Sequence, residues 1–364
     1  MDKQRDLETE NKNDAEYIMK TGFSIIICCY NSAIRLETTL HHVSQLNVPD
    51  NTDVELIVID NGSTDDTAII AQSIWQSLSA PFILRILSEP NSGLSNARML
   101  GILNAEYEYL LFCDDDNWLS KNYLAEALKI IEPNPSIGML GGFGRGFSEM
   151  EMPAWSNQFK IYGCGEQAEA IGEAKALYGA GVILRRSVFN KLKNAGYKFI
   201  LSDRKRNILT SGGDYELGYA VRLAGYKLWY DNSLNFTHFL PSERFSPNYV
   251  LQFIRESTGA FNVLDTYLYF IKRKASSRLY FYFNLIYAIL HHSKSLFISS
   301  LKPSRLSKDK AENLPFLFEH NYHKYRLIYS LKFFFTAEKT YKKIHRLKQK
   351  LRTSNTNDFV LAKV

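Results

Sequence analysis

The sequence has few cysteines and no apolar run long enough to cross a membrane. None of its four cysteines lies in a Cys-x-x-Cys or Cys/His ligand spacing. This argues against a zinc site or a disulfide framework and predicts reduced thiols in a cytosolic protein. The most apolar run, 279–290, is well short of the roughly 20 residues that a spanning helix needs. The absence of G-x-G-x-x-G and G-x-x-x-x-G-K-[ST] motifs disfavours dinucleotide and P-loop sites.

Charge is distributed unevenly along the chain. Residues 251–364 contain 21 Lys and Arg against 7 Asp and Glu, whereas residues 1–250 contain 23 basic and 31 acidic residues. The two parts are therefore expected to face different partners. Helices rich in Tyr and Phe with flanking Lys and Arg fit an anionic membrane surface, and packing on the rest of the chain or a homodimer interface are the alternatives. No recognised nucleic-acid motif accompanies the charge, so nucleic acid is not a predicted partner.

Short apolar runs alternate with helical patterns from Phe23 to about Phe143. The predicted strands are 24–29, 54–59, 82–87 and 109–113, and the predicted helices are 34–46, 63–78, 96–105 and 121–131. A capping box at Ser63 is expected to open the second of these helices. Later elements are a strand and helix near 182–193, a helix at 214–224, and strands at 227–230 and 235–239. This alternation predicts an α/β fold with a parallel, doubly wound sheet.

Polar residues follow several of the predicted strands. Tyr30 and Asn31, Asp60, the run Asp114–Asp116 and His238 all stand at such positions. Ligands bind at the carboxyl ends of strands in open α/β sheets, so these residues are expected along one edge. Adjacent carboxylates repel each other, which predicts a neutralising Mg²⁺ or Mn²⁺ that would also hold a diphosphate. The alternative is a solvated acidic turn ahead of the helix near residue 120.

Five stretches together carry a resemblance to a known family. They are 24–31, 55–65, 91–98, 114–116 and 213–216. Over about residues 22–245 the chain resembles the family-two inverting glycosyltransferases, which have a GT-A fold with a Rossmann-like, mixed, mainly parallel sheet flanked by helices. The polar, charged composition of residues 1–20 predicts a disordered tail, and the change to aromatic and basic composition after Pro247 predicts a helical region at 247–364. The resemblance implies a GT-A domain at 21–246. Within the domain it implies a nucleotide-sugar half at about 21–143 and an acceptor half at about 144–246.

The resemblance implies metal-dependent transfer from a nucleoside-diphosphate sugar, with UDP as the expected nucleotide. The acceptor would be a hydroxyl of a glycan or a lipid-linked glycan, and the location would be cytoplasmic or peripheral on the inner face of the plasma membrane. A processive synthase is disfavoured because no translocating membrane channel is predicted. A non-catalytic nucleotide-sugar-binding or membrane scaffold protein remains the alternative, because Gly213 stands where related enzymes usually carry Glu.

The resemblance assigns the donor and metal sites residue by residue. Asp60 would accept a hydrogen bond from the base, or else cap the following turn, and Gly93 would let the backbone approach the ligand. Asp114 would lie near the ribose and the metal, and Asp115 would contact the ribose or sugar. The remaining donor residues are Tyr30, stacked on the base, Asn31 and Arg98, and the remaining metal ligands are Asp116 and His238.

The acceptor side is expected to hold the catalytic base. An inverting transfer needs one carboxylate to deprotonate the acceptor hydroxyl, and Asp214 is aligned for that role. Glu216 is the alternative base or an acceptor contact, and Trp155 would offer an aromatic platform to a sugar. The run 203–206 is interpreted as a basic loop that closes on phosphate or as a solvated charged loop.

Overall fold

The computed structural model describes residues 20–158, 162–204, 208–273, 277–301 and 313–361. The predicted tail at 1–20, apart from Lys20, and residues 205 and 206 of the predicted basic loop lie outside these ranges. The strands are β1 Lys20–Cys29, β2 Asp53–Asp60, β3 Ile83–Ser88, β4 Tyr107–Asp114, β5 Asn117–Leu119, β6 Ile137–Phe147, β7 Gly172–Ala174, β8 Ile183–Arg185 and β9 Lys227–Phe239. The helices are α1 Leu36–Ser44, α2 Thr67–Ser77, α3 Leu94–Asn104, α4 Tyr123–Ile131, α5 Arg186–Asn194, α6 Gly213–Leu223, α7 Pro247–Ser257, α8 Ala260–Lys272, α9 Arg278–Leu301, α10 Leu314–Phe334 and α11 Ala337–Leu361.

In the described part of the chain, nine strands form one mixed sheet. Their order is β3-β2-β1-β4-β8-β6-β9-β5, and β7 pairs with β9. The first four strands in this order are parallel, as are β6 and β9, and these parallel ladders are the longest. β8 runs antiparallel to β4 and β6, and β5 runs antiparallel to β9. The predicted GT-A-type sheet, mixed and mainly parallel, is confirmed.

Helices cover both faces of the sheet because its central strands are apolar on both sides. In β1, Ile26 packs into one core cluster, whereas Ile25 and Ile27 pack into the other. This follows from the alternation of side chains along a strand. The first cluster also contains residues of α8, α9 and α11, among them Tyr267, Phe281 and Tyr341. Part of the C-terminal helical region therefore packs on the core of the α/β domain.

Several boundaries differ from the sequence prediction. β6 was not predicted, because its several glycines hide the strand pattern. At Gly142 glycine is required by close packing, since a Cβ there would overlap the Leu234 carbonyl oxygen. β9 is one strand rather than two, and its ladder with β6 shifts register where the two were expected to separate. The capping box is wrong: α2 begins at Thr67, and the Ser63 hydroxyl accepts a hydrogen bond from the backbone of Asn31 instead.

The longest apolar helix, α9, lies on the outside of the C-terminal region. Residues at a spacing of four and seven face inward, namely Phe281, Leu285, His292 and Ser299. The side chains exposed on it include Leu279, Tyr280, Phe283, Ile286, Tyr287, Leu290, Phe297, Ile298 and Leu301. Among the described residues, no helix combines the length and the hydropathy required to span a bilayer.

Candidate active site

A cavity of about 330 Å³ lies at the carboxyl edge of the parallel strands. The strand registers align this edge, since Asp60 pairs with Cys29 and Asp114 pairs with Cys28. The short strand β5 pairs with β9 and places Asn117 opposite His238. The predicted site residues that line the cavity are Tyr30, Gly93, Asp114, Asp115, Asp116 and His238.

The three adjacent aspartates have different surroundings. Asp115 accepts hydrogen bonds from the Ser32 hydroxyl and, at 2.7 Å, from the Arg35 guanidinium. Burial, followed by the charge of Asp116, raises the pKa of Asp115 despite the opposing effect of Arg35. Asp115 therefore ties β4 to the start of α1 as well as lining the cavity.

Asp116 is almost fully buried between two cationic partners. Its Oδ1 lies 3.4 Å from His238 Nε2, and its Oδ2 accepts a hydrogen bond of 3.0 Å from Arg244 Nη2. Burial opposes ionisation of Asp116, but His238 and Arg244 outweigh it and lower the pKa of this carboxyl group. Burial likewise disfavours the charged form of His238, and Asp116 outweighs it and raises the imidazole pKa to about 10. The pair carries strong opposite charges at the cavity wall.

Arg98 lines a second cavity, of about 140 Å³, and contacts Asp114, which lines the first. Its buried guanidinium lies 3.8 Å from Asp114 and 3.7 Å from Asp203. Asp214 lines this second cavity; its Oδ2 accepts from the backbone of Gly179 at 2.7 Å and its Oδ1 accepts from the backbone of Tyr215 at 2.8 Å. These two bonds fix the carboxylate at the first turn of α6.

The two cavities adjoin each other. The residues lining both are Leu94, Asp114, Arg204, His238 and Arg244. A molecule in the first cavity can therefore reach groups in the second cavity, which Asp214 lines.

Asp203 occupies the space beside Gly213. A Cβ at Gly213 would lie 3.2 Å from Asp203 Oδ2 and 3.0 Å from Ser95 Oγ, so a larger side chain would require these neighbours to move. Asp203 thus places a carboxylate beside both Arg98 and Gly213. Burial, with the charge of Asp214, raises the pKa of Asp203 to about 7. Its Oδ1 is buried without a hydrogen-bond partner among the described residues.

The other predicted donor residues lie around the loop after β2. Asn31 Oδ1 accepts from the backbone of Thr64 at 2.8 Å, and Asp60 Oδ1 accepts from the backbone of Ser63 at 3.0 Å. Neither is among the described residues that line the first cavity, whereas Asn61 is. Asn61 Oδ1 accepts from the Gly93 backbone at 2.8 Å, which holds Gly93 at φ 135° against the cavity.

The structure contradicts the prediction that Glu216 contacts the acceptor. Glu216 is fully buried, and its carboxylate accepts from the backbone of Ile200 and Leu201 and from the Tyr267 hydroxyl. It faces the core because it lies on the inner side of α6. Trp155 packs against two small hydrophobic clusters and is absent from the described linings of both cavities.

Sequence reasoning missed Arg244, Asn61 and the carboxylate of Asp203. Arg244 lies on a short 3-10 turn after β9, where no motif marks it. Asn61 stood inside a matching stretch but was not given a role. Asp203 was treated only as part of a basic loop, because its contact with Arg98 is non-local.

The chain is similar in sequence to known glycosyltransferases. Residues 24–193 match the model of glycosyl transferase family 2. The chain is 26% identical over 215 residues to the poly-beta-1,6-N-acetyl-D-glucosamine synthase of Staphylococcus epidermidis, an alignment that covers 57% of this chain and 50% of that protein. The chain thus spans about half the length of the curated relatives it matches.

Two solved structures share the fold. One is a mannosyltransferase from Pyrobaculum calidifontis in complex with GDP-Man and Mn²⁺, with a TM-score of 0.50 at 14% identity, covering 94% of this chain and 88% of that one. The other is GalNAc-T7 with UDP, GalNAc and Mn²⁺, with a TM-score of 0.50 at 17% identity, covering 85% of this chain and 56% of that one. The match identifies residues 24–193 as a glycosyl transferase family 2 domain, in a chain that shares its fold with both of these glycosyltransferase structures.

Proposed function

We propose that the protein transfers a sugar, with inversion, from a nucleoside-diphosphate sugar to a hydroxyl of a glycan or lipid-linked glycan. The observation that carries the proposal is the pair of adjoining cavities, one lined by Asp116 and His238 and the other by Asp214. UDP is the proposed nucleotide and N-acetylglucosamine the first sugar to test, because the curated relative is a poly-N-acetylglucosamine synthase.

The side chains at Asp116 fit a divalent cation. Carboxylate oxygens and an imidazole nitrogen converge at the cavity wall, and this donor set suits Mn²⁺ or Mg²⁺. Asp116 and His238 would hold the ion, with Asp114 beside them, and His238 would have to release its extra proton to serve as a ligand. When bound, the ion supplies charge stabilisation to the leaving diphosphate. Arg244 contacts Oδ2 of Asp116 and Nε2 of His238, so its side chain would have to turn away, and the diphosphate offers it an alternative anionic partner.

The donor would lie along the first cavity. Tyr30, which is 39% exposed at its edge, can stack on the base. Gly93 brings backbone close to the ligand, and Asp60, one residue before the cavity-lining Asn61, would accept from the base. Asn31 would support this loop, and Arg98 would hold Asp114 in position.

Asp214 is the proposed general base. The acceptor hydroxyl gives its proton to the Asp214 carboxylate as its oxygen attacks the anomeric carbon, opposite the bond to the leaving diphosphate. Two backbone N–H donors orient the carboxylate, and each oxygen keeps a lone pair for the proton. Arg98 supplies positive charge between this carboxylate and the donor edge.

Donor hydrolysis tests the proposal directly. The purified chain is mixed with UDP-N-acetylglucosamine and other nucleotide sugars, with Mn²⁺, with Mg²⁺ or with chelator, and release of the nucleoside diphosphate is measured. We expect metal-dependent release from one donor, and stabilisation against unfolding by about 2.7 kcal/mol at 100 times its Kd. Stabilisation without any release would favour the non-catalytic binding protein.

We also propose that α9 rests on an anionic bilayer, on the inner face of the plasma membrane. Nine large apolar side chains are exposed on this one helix, more than a surface in water usually carries. The C-terminal region that bears it is strongly basic, which complements anionic headgroups. Among the basic residues of this region, Lys348 is not available to contact headgroups, because it is buried and donates to the Phe270 carbonyl at 2.6 Å.

Vesicle sedimentation tests this surface. Substitution of Phe283 and Leu290 by Ser should abolish sedimentation with phosphatidylglycerol vesicles at low salt and leave donor hydrolysis intact. The matched control is Ile69→Ser, which changes a side chain 70% exposed on α2. If the double variant sediments like the parent, the membrane proposal is wrong. A dimer that both substitutions dissociate would assign the face to a second copy instead.

A further inference from the structure

A third cavity, of about 590 Å³, lies between α6 and the C-terminal helices α7, α8 and α10. We call it the aromatic groove, because aromatic side chains from all four helices line it. They are Tyr215, Tyr219, Phe253, Phe261, Phe318 and Tyr322. All four helices lie outside the residues that match the family model, so the family match gives the groove no role.

The groove is continuous with the cavity that holds the proposed base. Ser211, Tyr215 and Phe253 line both. The backbone N–H of Tyr215 donates to Asp214 Oδ1 at 2.8 Å, so the groove begins one residue from that carboxylate. A molecule that presents a hydroxyl to Asp214 can extend into the groove past the ring of Phe253.

The lining distinguishes between classes of extended molecule. Tyrosine hydroxyls and the half-exposed Asp265 carboxylate, which Arg326 pairs at 2.6 Å, interrupt the apolar walls. Sugar rings combine an apolar C–H face with polar edges, and amphipathic aromatic side chains match both. A hydrocarbon chain would gain nothing from the Asp265 carboxylate and would offer the tyrosine hydroxyls no hydrogen-bond partner. The chemistry favours sugar rings.

We propose that the aromatic groove binds the sugar rings of an extended acceptor glycan, behind the ring whose hydroxyl reaches Asp214. The inference rests on the proposed glycosyl transfer and narrows the acceptor to an oligosaccharide or polysaccharide of several rings. Phe261 provides a test position, since it is 40% exposed and its ring packs edge-on against Tyr322 at 5.9 Å, away from Asp214.

The experiment measures binding of oligosaccharides to the full chain by saturation-transfer NMR. The probes are β-1,6- and β-1,4-linked N-acetylglucosamine, glucose, mannose and galactose oligomers of one to six rings. The parent protein should bind at least one series more tightly as its length increases. Phe261→Ala and the more conservative Phe261→Leu should weaken binding of the longer members about tenfold and leave single rings and donor hydrolysis unchanged. Phe297→Ala, on the exposed side of α9, is the matched control.

The outcomes separate the groove from the activity. If the parent binds no oligomer, or if both Phe261 variants bind all lengths like the parent, the groove proposal is overturned. An alkyl glycoside whose affinity follows the length of its alkyl chain and not the number of rings would also overturn it, in favour of a lipid. If the parent protein binds long oligomers but hydrolyses no donor, the proposed function is wrong and the groove proposal stands.

Discussion

Replacement of Asp214 by Asn gives the sharpest test of the proposed chemistry. The amide has the shape of the carboxylate but cannot accept the proton of the acceptor hydroxyl. General-base catalysis typically contributes about 10²–10⁴-fold, so kcat should fall by that factor. The donor cavity is lined by other residues, so the affinity for the nucleotide sugar should stay within about threefold of the parent value.

The same substitution should also cost stability. Both oxygens of Asp214 accept backbone N–H groups, from Gly179 and from Tyr215. An Asn side chain has one oxygen, so its NH₂ group must face one of these donors and one hydrogen bond is lost. Loss of such a bond to a charged acceptor costs about 1–3 kcal/mol, which chemical denaturation can measure. Rate loss and stability loss therefore have separate origins.

Single-turnover transfer and donor titration on the same preparation separate these effects. The control is Glu216→Gln, which changes a buried carboxylate two residues away that lines neither cavity; it should keep kcat within about threefold. The reasoning is refuted if Asp214→Asn retains the parent kcat, or if donor affinity and kcat fall together. An inactive Glu216→Gln beside an active Asp214→Asn would move the base to Glu216.

Three further predictions concern other groups of the site. Asp116→Ala should abolish turnover and the metal dependence of UDP binding by calorimetry; unchanged metal dependence would contradict the ligand assignment. Tyr30→Ala should weaken UDP binding by about 1–3 kcal/mol, and equal loss for free diphosphate would exclude base stacking. Burial raises the pKa of Glu216 from 4.5 to about 7, so its stabilising effect is complete below pH 4.5 and is lost as pH rises through about 7. In urea unfolding, the free energy of unfolding of the parent, measured relative to that of Glu216→Gln, should fall by up to about 3 kcal/mol between pH 4.5 and 7. A difference between the two proteins that does not change with pH would refute the raised pKa.

The parallel half of the sheet could be predicted because its signals are local. Residues 25–29 of β1, 56–59 of β2 and 109–113 of β4 are uninterrupted apolar stretches, and each strand was predicted within a few residues of its observed bounds. The polar residues after them then fall on one edge by the geometry of parallel strands. The aspartate run 114–116 and His238 were expected together on these grounds, and the structure brings them to one cavity.

The rest depends on contacts between residues far apart in sequence. Arg244 reaches Asp116 because β9 pairs with β5, a strand of three residues with no sequence signature. Glu216 carries the spacing of a site residue, yet the docking of α8 buries it against Tyr267. Neither fact can be read from periodicity, because each depends on which elements meet across the sheet.

Gly213 shows how a departure from a family pattern can be misread from sequence alone. Because Gly213 stands where related enzymes usually carry Glu, a non-catalytic protein remained an alternative interpretation of the sequence. In the structure the Asp203 side chain approaches both Gly213 and Arg98. A carboxylate from the loop before α6 therefore lies next to the position where related enzymes usually carry Glu, and this non-local contact is not visible in the sequence.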